Sequence, residues 1–360
     1  MNSKDASIET HVRLFFRLTL VLFLTVAALS AARPAQAVCT CFPCTDCEIL
    51  NRGQLNFVVF DRENGQIQLV PNIRFTGNAA DFAIVVPTPT LPRITPVPGD
   101  IWTQSSDLTR PIRTNFRNNE DFTCGTQSVD VLTPSEAADD GVIVHNEETV
   151  GAFLVRTVSA TDSGALLGWL RENDLVFSSS DSSKIAPLVD DGWFFTTMKL
   201  DTSQIGTEVP ANGWNTNVDP VEFSFAATEF VLPLPFLSIN RASSLPMVFY
   251  VVDDHRMTLP GFATRYVNRI SSPEFGRIEQ SHPTVAAYLR SGRFLTRLDR
   301  TFSLDRQFED NISLVRAGND FEVRQGLGQA QMVLQSWPLQ VLWLVGLLGL
   351  VRRRFRIVRG

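Results

Sequence analysis

A chain of 360 residues that is 44% hydrophobic and 19% charged has ample material for a core, which excludes a mostly disordered protein. Its 21 Gly and 20 Pro fall far below one residue in three, so a collagen-like chain is excluded as well. The formal net charge of −6 provides no basic face for general nucleic-acid binding, and no nucleic-acid partner is expected.

Residues 1–37 read as a secretory signal peptide. Arg13 and Arg17 flank Leu18–Leu29, a run without a charge that is too short to span a bilayer comfortably. Arg33 and Pro34 break it, and Ala35-Gln36-Ala37 has the small-x-small pattern of a cleavage site. The chain then opens with Cys39, Cys41, Cys44 and Cys47, and only Cys124 follows. Three chemistries fit this spacing. In an oxidising compartment the cysteines form disulfides, with Cys124 stapling the N-terminal region and one thiol left over. Alternatively, Cys41, Cys44, Cys47 and Cys124 supply four thiolates to zinc or to an iron–sulfur cluster. Lastly, Cys44-Thr45-Asp46-Cys47 has the C-x-x-C form of a redox pair, though no thioredoxin-like βαβ pattern follows it.

Strand signals dominate the body. Leu55–Phe60 and Gln66–Val70 flank Asn64-Gly65, a hairpin signal, and Ile73–Phe75 extends the second strand. Phe82–Val86 is continuously apolar, as in a strand buried on both faces, and runs into the extended segment Thr88–Pro92. Residues 93–127 and 201–220 read as long polar loops. Val142–His145, Phe153–Val158 and Phe194–Leu200 are further strands, and Val221–Phe225 with Glu229–Leu232 reads as a pair. Met247–Val252 is the last clear strand. Thr161 or Asp162 caps a predicted helix over Ser163–Asn173, and Ile185–Asp190 and Pro283–Ser291 are shorter helices. Trp193, Phe194 and Phe195 read as core rather than as a sugar-binding platform.

Asp253, Asp254 and His255 follow the last strand. Two carboxylates and an imidazole at a strand end can bind metal or move protons, while the plainer reading is a polar turn closing a hairpin into Met257–Leu259. Residues 271–331 are Arg-rich and of mixed sign, and read as a helical or extended juxtamembrane segment. Residues 332–351 carry no charge and suffice for one transmembrane helix, and Arg352, Arg353 and Arg354 begin a basic tail, residues 352–360, that stays cytoplasmic. Between these ends, residues 38–331 hold 36 acids against 23 bases, a net of −13. No G-x-S-x-G elbow, H-E-x-x-H or P-loop is present, so no catalytic residue is assigned.

Several stretches resemble the DUF2330 family of exported bacterial proteins. They are the Cys-rich start, Asp81–Pro89, Trp169–Asn173, Phe194–Lys199, Val221–Pro235 and Phe249–Arg256, together spanning roughly 38–260. The resemblance implies export, often with a membrane tail, and implies no activity. The expected fold is strand-rich α+β: one large extracytoplasmic domain over residues 38–270 with few helices, plus a single C-terminal transmembrane helix. The expected role is a membrane-tethered binding or structural module that meets an extracytoplasmic partner and needs no cofactor. The alternative is a zinc, iron–sulfur or redox protein built on the cysteines.

Overall fold

In the computed structural model, residues 34–36, 38–43, 49–77, 82–110, 141–200, 212–214, 219–326 and 329–332 are described. The strands in chain order are β1 (Pro34–Gln36), β2 (Thr40–Pro43), β3 (Ile49–Asp61), β4 (Gln66–Gly77), β5 (Phe82–Thr88), β6 (Arg93–Pro96), β7 (Val142–Val150), β8 (Phe153–Ala160), β9 (Phe194–Leu200), β10 (Asn212–Trp214), β11 (Val221–Ala226), β12 (Glu229–Leu232), β13 (Leu245–Asp253), β14 (Met257–Thr258), β15 (Ala263–Arg269), β16 (Phe294–Phe302), β17 (Ile312–Arg316), β18 (Val323–Gly326) and β19 (Gln329–Met332). The helices are α1 (Ile101–Leu108), α2 (Ser163–Glu172), α3 (Ser182–Asp190), α4 (Leu234–Leu237), α5 (Ser272–Ser281) and α6 (Pro283–Ala286). This is the strand-rich α+β chain with few helices that the sequence predicts. No helix among the described residues is long and apolar enough to cross a membrane.

Three sheets share the strands. The largest has ten, in the order β19-β18-β15-β16-β13-β3-β4-β11-β6, with β10 beside β4. A second runs β2-β5-β9-β8-β7, and a small third runs β1-β12-β17-β14. Period-two alternation sorts each strand's side chains between layers. Val58, Phe60, Ile67, Leu69, Phe249 and Val251 of the large sheet meet Val86, Phe153, Val155 and Met198 of the second in one continuous core. Phe230, Leu232 and Leu314 of the small sheet join that core. On the other face of the second sheet, Ala83, Val85, Val158 and Phe195 pack under α2 and α3. On the outer face of the large sheet, Phe57, Val59, Tyr250 and Val252 pack under α1, α5 and α6. The layering is therefore helix, sheet, sheet, helix.

Local sequence explains the main elements. Asn64 and Gly65 turn β3 into β4: Gly65 sits at a φ of 62°, and Asp61 accepts from the Asn64 backbone at 3.3 Å and its side chain at 2.7 Å. The hairpin continues well past the predicted Phe60 and Val70, pairing Ile49 with Gly77 at its far end. Asp162 caps α2, its Oδ1 accepting from Ala165 N at 2.9 Å. Trp193 is 2% exposed and Phe195 1%, so both are core as expected.

Four expectations are corrected. Residues 93–110 are not loop: β6 pairs with β11, and α1 buries Ile101 and Ser105. Val221–Phe225 and Glu229–Leu232 do not pair with each other. β11 lies between β4 and β6, while β12 pairs with β1 and β17. The two residues between them carry the chain from one sheet to another, with Ala227 N donating to Gly65 O. Asp253–Arg256 does not close a hairpin back onto β13, because β14 pairs with β17 instead. Finally, residue 271 does not begin a separate extension. β16 pairs along the full length of β13 in the interior of the large sheet, and α5 and α6 cover its face.

Candidate functional site

The corner that the sequence singles out lies where β13 leaves the large sheet. Asp253, the last residue of β13, is 1% exposed. Its carboxylate accepts from Arg62 Nη2 at 2.6 Å and Nε at 3.2 Å, a two-pronged ion pair with the turn of the β3–β4 hairpin. Oδ1 also accepts from Asp254 N at 2.6 Å. Arg62 in turn stacks 4.2 Å over the Phe60 ring and donates to Thr228 O at 2.8 Å. One guanidinium thus ties the hairpin tip to β13 and to the link between β11 and β12.

The other two candidates point to different partners. Asp254 pairs with Arg293 at 3.1 Å, and Arg293 also donates to Phe60 O. His255 Nδ1 lies 3.1 Å from Asp320 Oδ2. Asp320 also accepts from Arg256 N at 3.1 Å and Arg316 Nη2 at 3.3 Å. Partial burial pushes the Asp320 carboxyl up. The hydrogen bonds from His255 and Arg256, with the charges of His255 and Arg316, outweigh it and hold the group below the usual range. Asp253, Asp254 and His255 are therefore adjacent in sequence but serve three separate partners, Arg62, Arg293 and Asp320. No group of three or more His, Cys, Asp or Glu among the described residues is arranged to hold a metal ion.

Sequence reasoning missed a second buried carboxylate. Glu222 on β11 is 8% exposed and faces the helix side of the large sheet, since Val221, Phe223 and Phe225 take the opposite face. Tyr288 OH donates to its Oε2 at 2.7 Å, and Gln68 Nε2 and Ser224 Oγ donate to Oε1 at 3.2 and 3.1 Å. Burial, then the hydrogen bond to Glu222 and its charge, push the Tyr288 phenol far above its ordinary value. The alternation of Val221–Phe225 does place Glu222 opposite the core, but nothing local in the sequence links it to a tyrosine 66 positions away.

The cysteines divide. Cys39 is fully buried in the core between the sheets, and Gln54 Nε2 on β3 donates to its carbonyl at 2.6 Å. Cys41 lies on β2 in register with Ile84. Cys44, Cys47 and Cys124 lie outside the described residues, as do residues 1–33, the span from 333 to 351 and Arg352, Arg353 and Arg354. Residues 34–36, which the sequence places inside the signal segment, pair in parallel with β12.

The body is layered sheets capped by helices, and the charges at the Asp253–His255 corner hold strand ends and loops together. The chain belongs to the DUF2330 family, uncharacterized proteins conserved in bacteria, whose model matches residues 33–314. That range runs past the expected limit near 260 and takes in β16 and the first three residues of β17, in agreement with their places in the sheets. No curated protein and no solved structure matches it.

Proposed function

We propose that the protein is an exported, membrane-tethered binding or structural module that displays its layered body outside the cytoplasm. The observation that carries this reading is the fate of the polar corner at Asp253–His255. Its charged side chains cross-link β3, β13, β16 and the loop at Asp320 in place of converging on one reacting atom. General acid–base or metal chemistry needs such convergence. The apolar run at 332–351 and the arginines after it support a tether with the C-terminus inside. Export favours disulfides among Cys39, Cys41, Cys44, Cys47 and Cys124, and the partner is an extracytoplasmic one.

The test expresses the full chain and a variant ending at residue 331. The full chain is expected in the membrane fraction and the variant in the soluble envelope fraction, folded by circular dichroism. A truncated chain that stays with the membrane overturns the tether. Elemental analysis with thiol counting, with and without reductant, tests the rest. Stoichiometric zinc or iron with reduced thiols replaces the display reading with a metal protein built on Cys41, Cys44, Cys47 and Cys124.

A further inference from the structure

The core between the two large sheets is not uniformly apolar. Gln54 and Asn56 alternate with Leu55 and Phe57 along β3, so they share the inner face with Val58 and Phe60. Both are 0% exposed. Gln54 uses its Nε2 on the Cys39 carbonyl, but among the described residues its Oε1 has no partner, and neither Oδ1 nor Nδ2 of Asn56 has one. In register, Asn56 stands between Phe249 on β13 and Pro71 on β4. The aromatic ring offers no conventional hydrogen bond, and the proline has no N–H to offer. From the facing sheet, Thr88 shares the inner side of β5 with Val86 and is likewise buried with its Oγ1 unpartnered.

A primary amide sealed in a core without partners costs on the order of 1–3 kcal/mol, more than one polar side chain normally contributes. Three orphan amide atoms on consecutive inner positions of one strand, about 7 Å apart by strand geometry, are close enough to share one small bridging molecule or two. Such a molecule has to donate to Gln54 Oε1 and Asn56 Oδ1 and accept from Asn56 Nδ2. Water does both, and it is small enough for a close-packed layer.

We propose that the Gln54–Asn56 pair is an internal water-binding site, holding one or two long-lived waters between the sheets. Water bound there extends the bridge that Gln54 already makes to the start of β2, and so couples the two sheets through polar contacts at the centre of an apolar layer.

The experiment is water-oxygen magnetic relaxation dispersion on the folded protein, repeated on Asn56→Leu and Gln54→Leu, with thermal unfolding of each. The wild type is expected to show waters with residence times beyond tens of nanoseconds. Either leucine variant is expected to lower that count by at least one, and Asn56→Leu to lower Tm by several degrees. A wild type with no long-lived water overturns the proposal, as does a count that neither variant changes. A rise in Tm for Asn56→Leu also overturns it, because removing a dry orphan amide stabilises. If Asn56→Leu does not fold, Asn56→Val, which also removes the amide, carries the same test.

Discussion

Asp253 and Glu222 are both buried carboxylates on the ten-stranded sheet, and the fold satisfies them in opposite ways. Asp253, on the inner face, is met by a guanidinium that grips both its oxygens. Glu222, on the outer face, is met by a phenol, an amide and a hydroxyl, all neutral. The first arrangement fastens a hairpin tip to a strand end, where losing either partner leaves something stranded. The second spreads one charge over three modest hydrogen bonds from two strands and the segment after α6. A buried acid in this family member is thus no marker of chemistry by itself; its partners decide what it does.

Changing one partner at a time sharpens that contrast. Arg62→Met leaves Asp253 buried without its cation, and about 3 kcal/mol of stability is expected to go in urea unfolding. The loss stays near the lower end for a broken buried pair, because the arginine side is 40% exposed and water can reach the site. Were Arg62→Met neutral, the Asp253 pair would be no more a fastener than the Glu222 cluster.

Alkaline pH attacks the outer face next. Burial pushes the Tyr266 phenol up to about 12, against the pull of the Arg324 charge and with some help from Glu274. Tyr288 and Tyr250 shift in the same direction, burial again being the first cause. A raised phenol pKa means the fold favours the neutral form. This contribution is complete below the unfolded value near 10 and is lost as pH rises through 12. Stability is expected to fall by about 2 kcal/mol for Tyr266 over that window, and Tyr266→Phe should flatten the profile. A profile unchanged by that substitution would mean the phenol is hydrated in the fold.

Glu222→Gln is expected to cost less than about 1 kcal/mol at neutral pH, because a glutamine carbonyl still accepts from Tyr288. The same variant should lower the Tyr288 titration, readable by ultraviolet absorbance, since it removes the Glu222 charge, one of the causes that raise it. A loss as large as that of Arg62→Met would erase the distinction between the two sites. The smallest effect is expected from starting the chain at Val38. It removes the three residues of β1 from the edge of β12 and should change stability by less than about 1 kcal/mol.

Much of the fold was legible because it rests on period and punctuation. The bounds of β9 and β12 follow their apolar runs, α2 starts at its Asp162 cap, and the β3–β4 hairpin turns at Asn64-Gly65. Helix α1 was not legible, since Ile101-Trp102-Thr103-Gln104-Ser105-Ser106-Asp107-Leu108 has too few apolar residues to show a period. α5 hid in a stretch read by its charge, although Ser271 and Glu274 form a capping box there. Pairing was the least legible. β11 and β12 look like a hairpin because two residues separate them, but adjacency in sequence says nothing about which sheet each joins. The corner at Asp253–His255 stands out by composition, yet its side-chain contacts reach 191 positions to Arg62 and 65 to Asp320, beyond any local rule.

The parallel pairing of β3 with β13 sets a clock. Gln54 and Met247, side by side in the sheet, are about 190 positions apart in the chain. At synthesis rates of about 5–20 residues per second, the hairpin made first waits roughly 10–40 s for its neighbour. Throughout that wait, one edge of β3 presents an unpaired row of N–H and C=O groups, with Phe57 and Val59 on one side and Val58 and Phe60 on the other. The arrival of β13, followed by β16 on its far side, ends that exposure. The hazard of this architecture therefore lies in its delayed closure, and a holding chaperone that recognises a lone apolar hairpin would be matched to that interval.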